Sequence, residues 1–292
     1  MTMPNFFILG GPKTGTTAIS QYLSEHPQVL MSKPKEPHYF NTDHNYRHFK
    51  SMVEYERLFD GAHEKHSVIG EASVWYLYSK DAVRNIEGAI SRPKYLIMLR
   101  NPVDMAHSLH EQMIYSGSEQ VRDFGTAWKL QDERRHGRKS PMMNVDPKRL
   151  LYKDICSLGE QLQDVYSCVE RDRVHLIFNE DLCTNPRRAW LNLLDFLKVE
   201  DNGRREFPRV NEAKTRRSQL ISKAVMVFGI VRKRLNIKPL GTGLQTNLEK
   251  LNTRTRARKP IPTELRNTIR AAFDDDIQIL AKLTGRDLSH WR

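Results

Sequence analysis

A three-layer α/β fold, with a central parallel sheet flanked by helices, is the architecture this sequence predicts. Three observations lead there. Short apolar runs alternate with stretches of helical periodicity along the chain. The runs "FFILG", "HSVIGE" and "KYLIMLR" are continuous rather than alternating, which suits parallel strands covered on both faces. The first run also leads straight into a glycine turn and a helix, the layout of a phosphate-binding loop.

Taken in order, a first strand is read at 5–10 and its helix at 16–25, followed by short strands at 28–32, 66–71 and 94–100. Pro102 opens a helix at the position where a missing N–H costs nothing, and that helix runs to about residue 115. Residues 117–145 are polar and glycine-containing and read as a lid or insertion. Asp146 and Pro147 form a cap and first-turn pair for a helix reaching about residue 170. "RVHLIFNEDL" reads as a strand over 173–182, and Asn185-Pro186 caps a helix ending at Leu197. Leu265, Ile269, Ala272, Phe273, Ile277 and Leu280 give 263–283 one helical period. No repeat or interdomain linker interrupts the series, so residues 1–292 read as a single domain.

Composition sets the outer bounds. At 39% hydrophobic and 28% charged, the 292 residues can bury a full core. No apolar run approaches the ~18 residues of a membrane span. The stretch at 6–9 is too short for a signal peptide and lacks a basic leader, so the expected location is cytoplasmic. Cys156, Cys168 and Cys183 have no metal-binding spacing and read as reduced structural thiols, the first two on one helix. A net charge of +12 points to an anionic partner: nucleic acid, a polyanionic cofactor or a membrane surface. That charge is concentrated in clusters between residues 204 and 259, while 1–100 is close to balance.

The chemistry begins in "GGPKTGTT". A nucleoside-triphosphate loop carries lysine directly after its second glycine; here Thr16 holds that place and Lys13 lies three residues upstream. Gly10, Gly11 and Gly15 let the backbone turn and approach an anion. The N–H groups of Gly15, Thr16 and Thr17 fall at a helix N-terminus, where donors and dipole favour negative charge. Alone, the loop also fits a plain glycine-rich turn.

A second feature shifts the balance. Where a nucleotide triphosphatase ends a later strand in a magnesium-holding aspartate, "YLIMLR" ends in Arg100. Ser108 follows eight residues later, a little over two helical turns on, within reach of the same strand end. Two separate anion sites without a metal ligand suit a nucleotide phosphorylated at both its 5′ and 3′ positions.

Together these motifs resemble the sulfotransferases that use 3′-phosphoadenosine 5′-phosphosulfate (PAPS). "PKTGTT" is similar to their 5′-phosphosulfate loop, and "YLIMLRNPVDMAHSLHEQM" to their 3′-phosphate motif. "KPKEPHYF", "IGEASVWYL", "FPRVNEAKTRRS" and "DLSHW" resemble stretches of the heparan-sulfate-type branch and its bacterial relatives. The resemblance implies metal-independent sulfuryl transfer from PAPS to an acceptor hydroxyl or amine, leaving 3′,5′-adenosine bisphosphate. It implies that Gly11, Pro12, Lys13, Thr14, Gly15, Thr16 and Thr17 hold the 5′ end, and that Arg100 and Ser108 hold the 3′-phosphate. Lys214, Arg216 and Arg217 then close over the 3′-phosphate and adenine, within a basic covering segment at 204–262. Sulfuryl transfer moves a group with less charge than phosphoryl, so a cationic loop in place of a magnesium clamp is chemically reasonable.

An acceptor hydroxyl must lose its proton as it attacks, so a general base is expected. Glu36 is the first choice, following a short strand expected to run beside the first strand; the resemblance assigns a glutamate in this stretch the same role. His38 is the rival, as base or as a group orienting the acceptor. Glu71 and His110 are weaker candidates. The heparan-sulfate-type branch tends to carry a lysine within the motif matched by "GEAS", where this sequence has Glu71. Residues 218–235 form an apolar, basic-flanked helix candidate, read as a sheet-covering helix or as a membrane-surface contact. A small-molecule or glycan acceptor is the expected partner. The competing readings are an NTP-dependent P-loop enzyme and a nucleic-acid-binding protein; the latter lacks RNP-like strands, zinc spacing and a helix-turn-helix signature.

Overall fold

Every residue of β1 (Phe6–Gly10) is buried, and successive side chains leave it for opposite sides of the sheet. The computed structural model describes residues 2–139, 146–208 and 260–292, with the backbone of two short strands at 214–216 and 253–255. After β1 come α1 (Thr16–Ser24), β2 (Val29–Met31), α2 (Met52–Glu56), β3 (Val68–Ala72), α3 (Ala82–Ala89), β4 (Lys94–Leu99) and α4 (Pro102–Ser116). The short helices α5 (Phe124–Lys129), α6 (Gln131–Arg135) and α7 (Tyr152–Cys156) lead to α8 (Leu158–Tyr166), β5 (Val174–Phe178), α9 (Asn179–Thr184) and α10 (Pro186–Leu197). Strands β6 (Lys214–Arg216) and β7 (Thr253–Thr255) form an antiparallel pair. The helices α11 (Thr263–Ala271) and α12 (Asp274–Thr284) close the chain.

The main sheet is parallel throughout, in the order β2-β3-β1-β4-β5. Phe6, Ile8, Leu96 and Met98 pack on one face with Ile19 and Leu23 of α1 and Trp190 and Leu193 of α10. Phe7, Leu9, Tyr95 and Ile97 pack on the other with side chains of α4, α8 and α12. This is the predicted three-layer arrangement.

Several boundaries differ from the sequence reading. The helix expected from Pro147 to about residue 170 is a 3-10 turn (Pro147–Leu150) followed by α7 and α8. Leu151 and Ser157, both with ψ 76, leave helical geometry at the two breaks. Cys156 therefore ends α7, whereas Cys168 lies beyond α8. The strand expected over 173–182 stops at Phe178, where the chain turns into α9. The single C-terminal helix is two, broken at Phe273, which is fully buried. The polar stretch from 117 folds into α5 and α6, pinned by Arg134 on Glu119, a pair at most 1% exposed. The topology also differs: β2 does not lie beside β1, because β3 pairs between them. Residues 140–145, Arg217 and the helix candidate at 218–235 lie outside the described residues.

Candidate active site

In a parallel sheet whose order reverses direction, a crevice opens at the C-terminal strand ends where neighbouring connections depart to opposite sides. Here that point lies between β1 and β4. The register of the β1/β4 pair shifts between Ile8 and Gly10, so the end of β1 peels away as its loop begins. Gly10, at φ 125, is required there, since a Cβ would sit 2.4 Å from the Val74 carbonyl oxygen.

The loop that follows is built by its own contacts. Thr14 is fully buried, and its hydroxyl donates to the Gly11 carbonyl at 2.6 Å. The Gly11 N–H donates to the Met98 carbonyl, and the Asn179 side chain donates to the Thr14 carbonyl at 2.9 Å. Gly15 is the N-cap of α1, and no side chain caps that terminus, so the N–H groups of Thr16 and Thr17 project from an uncapped helix start. Lys13, at φ 66, turns its ammonium toward Gln112 Oε1, 3.3 Å away on α4.

Arg100 meets this loop. Its Nη1 donates to the Lys13 carbonyl at 2.7 Å, which joins the end of β4 to the middle of the β1 loop. Asn101 caps α4 through Val103 N–H at 3.0 Å, and Ser108 is buried along that helix at 2% exposure. The backbone of β6, which carries Lys214 and Arg216, runs beside α4. Lys13, Arg100 and an uncapped helix N-terminus therefore share one strand edge.

Glu36 reaches the same edge by a route the sequence did not show. Its N–H donates to the Ala72 carbonyl at the end of β3. The following residues are tied down in turn: His38 N–H to Ser73 Oγ at 3.1 Å, and Tyr39 and Phe40 N–H to the Tyr76 hydroxyl at 2.9 and 3.1 Å. Glu36 and His38 sit at φ 64 and φ 50, a left-handed conformation that non-glycine residues hold only where surrounding contacts impose it.

The Glu36 carboxylate lies 2.6 Å from Lys35 Nζ and 3.5 Å from His38 Nε2 and is 31% exposed, so an acceptor can reach it. Burial pushes its pKa up, but the His38 ring and the Lys35 ammonium outweigh that and hold it at about 2. His38 is fully buried, and among the described residues the one carboxylate within ion-pair distance of its ring is that of Glu36, 3.5 Å from Nε2. Burial lowers its pKa against the opposing pull of Glu36, which makes it a neutral imidazole near pH 7.

The weaker candidates are both buried. Glu71 is fully buried beneath the sheet edge beside Tyr76 and Tyr55, and burial raises its pKa to about 8. The His110 ring is buried and hydrogen-bonded to the Val121 carbonyl at 2.8 Å. Sequence reasoning missed Gln112, Asn179 and a group around Tyr46, His48, Trp75 and Arg149. Of these only Asn179 carried a local signal, since it stands at a strand end like Arg100.

The fold and this edge define an α/β protein with a cation-rich, phosphate-type loop at its switch point. The chain matches the sulfotransferase domain over residues 3–219 and belongs to that family. The membrane-associated sulfotransferase kil1 of Dictyostelium discoideum is 30% identical over 111 residues, which cover 37% of this chain and 22% of that protein. Human bifunctional heparan sulfate N-deacetylase/N-sulfotransferase 2 is 31% identical over 114 residues, covering 37% of this chain and 13% of the relative. The match thus spans less than a quarter of the length of either relative. The crystal structure of a sulfotransferase from Alicyclobacillus acidocaldarius shares the fold, with a TM-score of 0.74 at 24% identity over 100% of both chains. Among the described residues, no helix is long and apolar enough to cross a membrane.

Proposed function

We propose that this chain transfers a sulfuryl group from PAPS to an acceptor hydroxyl or amine. The observation that carries the reading is the Arg100 bond to the Lys13 carbonyl, which places two cations and an uncapped helix start at one strand edge. When bound, PAPS supplies an activated sulfuryl group on a phosphate leaving group. Lys13, with the Thr16 and Thr17 N–H groups and hydroxyls, stabilises the charge that grows on the departing phosphate oxygen. Donors of this kind typically contribute ~3–4 kcal/mol each to such a step. Arg100 and Ser108 hold the 3′-phosphate, and Lys214, Arg216 and Arg217 cover it.

On the acceptor side, Glu36 accepts the proton of the attacking hydroxyl while that oxygen bonds to sulfur and the bond from sulfur to the phosphate oxygen breaks. Lys35 and His38 keep Glu36 ionised throughout the neutral range, at the expense of its basicity. A glycan acceptor is in keeping with the names of the heparan sulfate relatives; a lipid or a small natural product fits the same chemistry.

Calorimetric titration with 3′,5′-adenosine bisphosphate, with ATP and 5′-AMP as controls, tests the assignment. Binding of the bisphosphate at least tenfold tighter than both controls is expected. Preferential binding and magnesium-dependent turnover of ATP would replace this reading with a P-loop NTP enzyme.

A further inference from the structure

Beside Glu36 the structure carries a cation that the proposed transfer does not use. Arg149 belongs to the 3-10 turn Pro147–Leu150. Its guanidinium carbon lies 4.6 Å from the centre of the Tyr46 ring and 5.1 Å from that of Trp75. Its Nε is buried, and among the described residues it has no hydrogen-bond partner and no carboxylate forms an ion pair with it. Two comparable arginines are treated differently by the fold: Arg134 is paired with Glu119 at 2.7 Å, and Arg173 with Glu87 at 2.6 Å. Burial lowers the pKa of Arg149, with Tyr46, Asp146 and Glu36 offsetting only part of that penalty. A desolvated cation left unpaired costs stability. Held over two aromatic rings, it is set up for an anion that arrives from outside.

The neighbours indicate which anion. Tyr46 stands 5.1 Å from the His38 ring and 4.9 Å from the His48 ring, centre to centre. His48 in turn hydrogen-bonds the Glu36 carbonyl at 2.9 Å. Arg149 therefore stands with Glu36, on the acceptor side of the site.

We infer that Arg149 is a specificity-determining residue that binds an anionic substituent of the acceptor, a carboxylate or sulfate carried on or next to a ring that packs against Tyr46 and Trp75. A planar guanidinium held over two rings is well suited to bidentate recognition of such a group. The inference rests on the transfer reading for the word acceptor, but its test is separable from it.

The protein loaded with 3′,5′-adenosine bisphosphate is titrated with two matched pairs of ring compounds. These are p-nitrophenyl β-D-glucuronide against p-nitrophenyl β-D-glucoside, and 4-hydroxyphenylacetate against 4-hydroxyphenylethanol. At least one anionic member is expected to bind about tenfold or more tightly than its neutral partner. Arg149→Gln should erase that preference and Arg149→Lys should keep part of it, with bisphosphate affinity unchanged in both. The inference is overturned if neither anionic member is preferred, if the preference survives in Arg149→Gln, or if that variant loses bisphosphate affinity to the same extent. Failure of wild type to bind the bisphosphate would sink the transfer reading alone, and the pairs would then be compared on the unloaded protein.

Discussion

Glu36 shows how much of an active-site assignment depends on neighbours the residue type does not reveal. On the page of the sequence it is a loop carboxylate between Lys35 and Pro37. In the fold its N–H is tied to β3, its carboxylate is flanked by Lys35 and His38, and its backbone is held left-handed. Replacing Glu36 by Gln removes the proton acceptor while keeping size and position. Turnover should fall by about a hundred- to ten-thousandfold with calorimetric affinity for 3′,5′-adenosine bisphosphate unchanged, and retained turnover would take the base role from Glu36. Glu71, a weaker candidate in the sequence, is kept from the acceptor by complete burial. Its protonated form is favoured in the fold, because burial raises its pKa from an ordinary 4.5 to about 8. Between those values the unfolded chain releases a proton that the folded chain keeps, so Glu71 makes stability decline as pH rises, by up to about 1.4 kcal/mol per pH unit. Glu71→Gln should therefore raise the melting temperature at pH 8.5 relative to wild type, with little gain at pH 4.5. An equal gain at both values would show that its ionisation plays no part.

At the scale of elements, local signals located the βα units well. Pro102 and Pro186 open helices where they were expected, and Asn101 and Asn185 cap them. What the local pattern missed were the breaks. Apolar spacing across 147–170 and 263–283 continues through Leu151, Ser157 and Phe273, because those breaks serve packing between helices that lie far apart in sequence. The contact of α8 with α12 is the clearest case. Asp276 accepts from the N–H groups of Gly159 and Glu160 at 3.0 and 2.9 Å, capping α8 from another helix. A Cβ on Gly159 would lie 2.2 Å from the Asp276 carbonyl oxygen. Backbone cannot yield as a side chain tip can, so Gly159→Ala should cost about 1–3 kcal/mol of unfolding free energy in urea. Unchanged stability would mean that α8 and α12 do not approach this closely.

Across the whole molecule, the end of the chain supports the site from behind. Trp291 is buried at 1% exposure, packs on Phe178 at 5.9 Å between ring centres, and donates to Glu180 at 2.6 Å. Phe178 ends β5, and Asn179 immediately after it holds the Thr14 carbonyl of the loop. Trp291→Ala should cost about 3–5 kcal/mol, seen as a lower denaturation midpoint, and should weaken bisphosphate binding by loosening Asn179. A destabilised variant with undiminished affinity would separate the core from the loop.

The sequence by itself determined the covalently local features: the displaced lysine of the loop, an arginine at a strand end where a metal-holding carboxylate would otherwise stand, the proline that opens α4 and the cap that starts α10. Each is a relation between residues a turn or two apart, so it survives without knowledge of the fold. Only the tertiary structure decided that β3 lies between β2 and β1, that Glu36 hangs from β3, that Glu71 is sealed inside, and that Arg149 stands over Tyr46 and Trp75. Those facts depend on which distant segments exclude water from one another. Burial and long-range pairing, not residue type, set the charge state and reach of each of these groups.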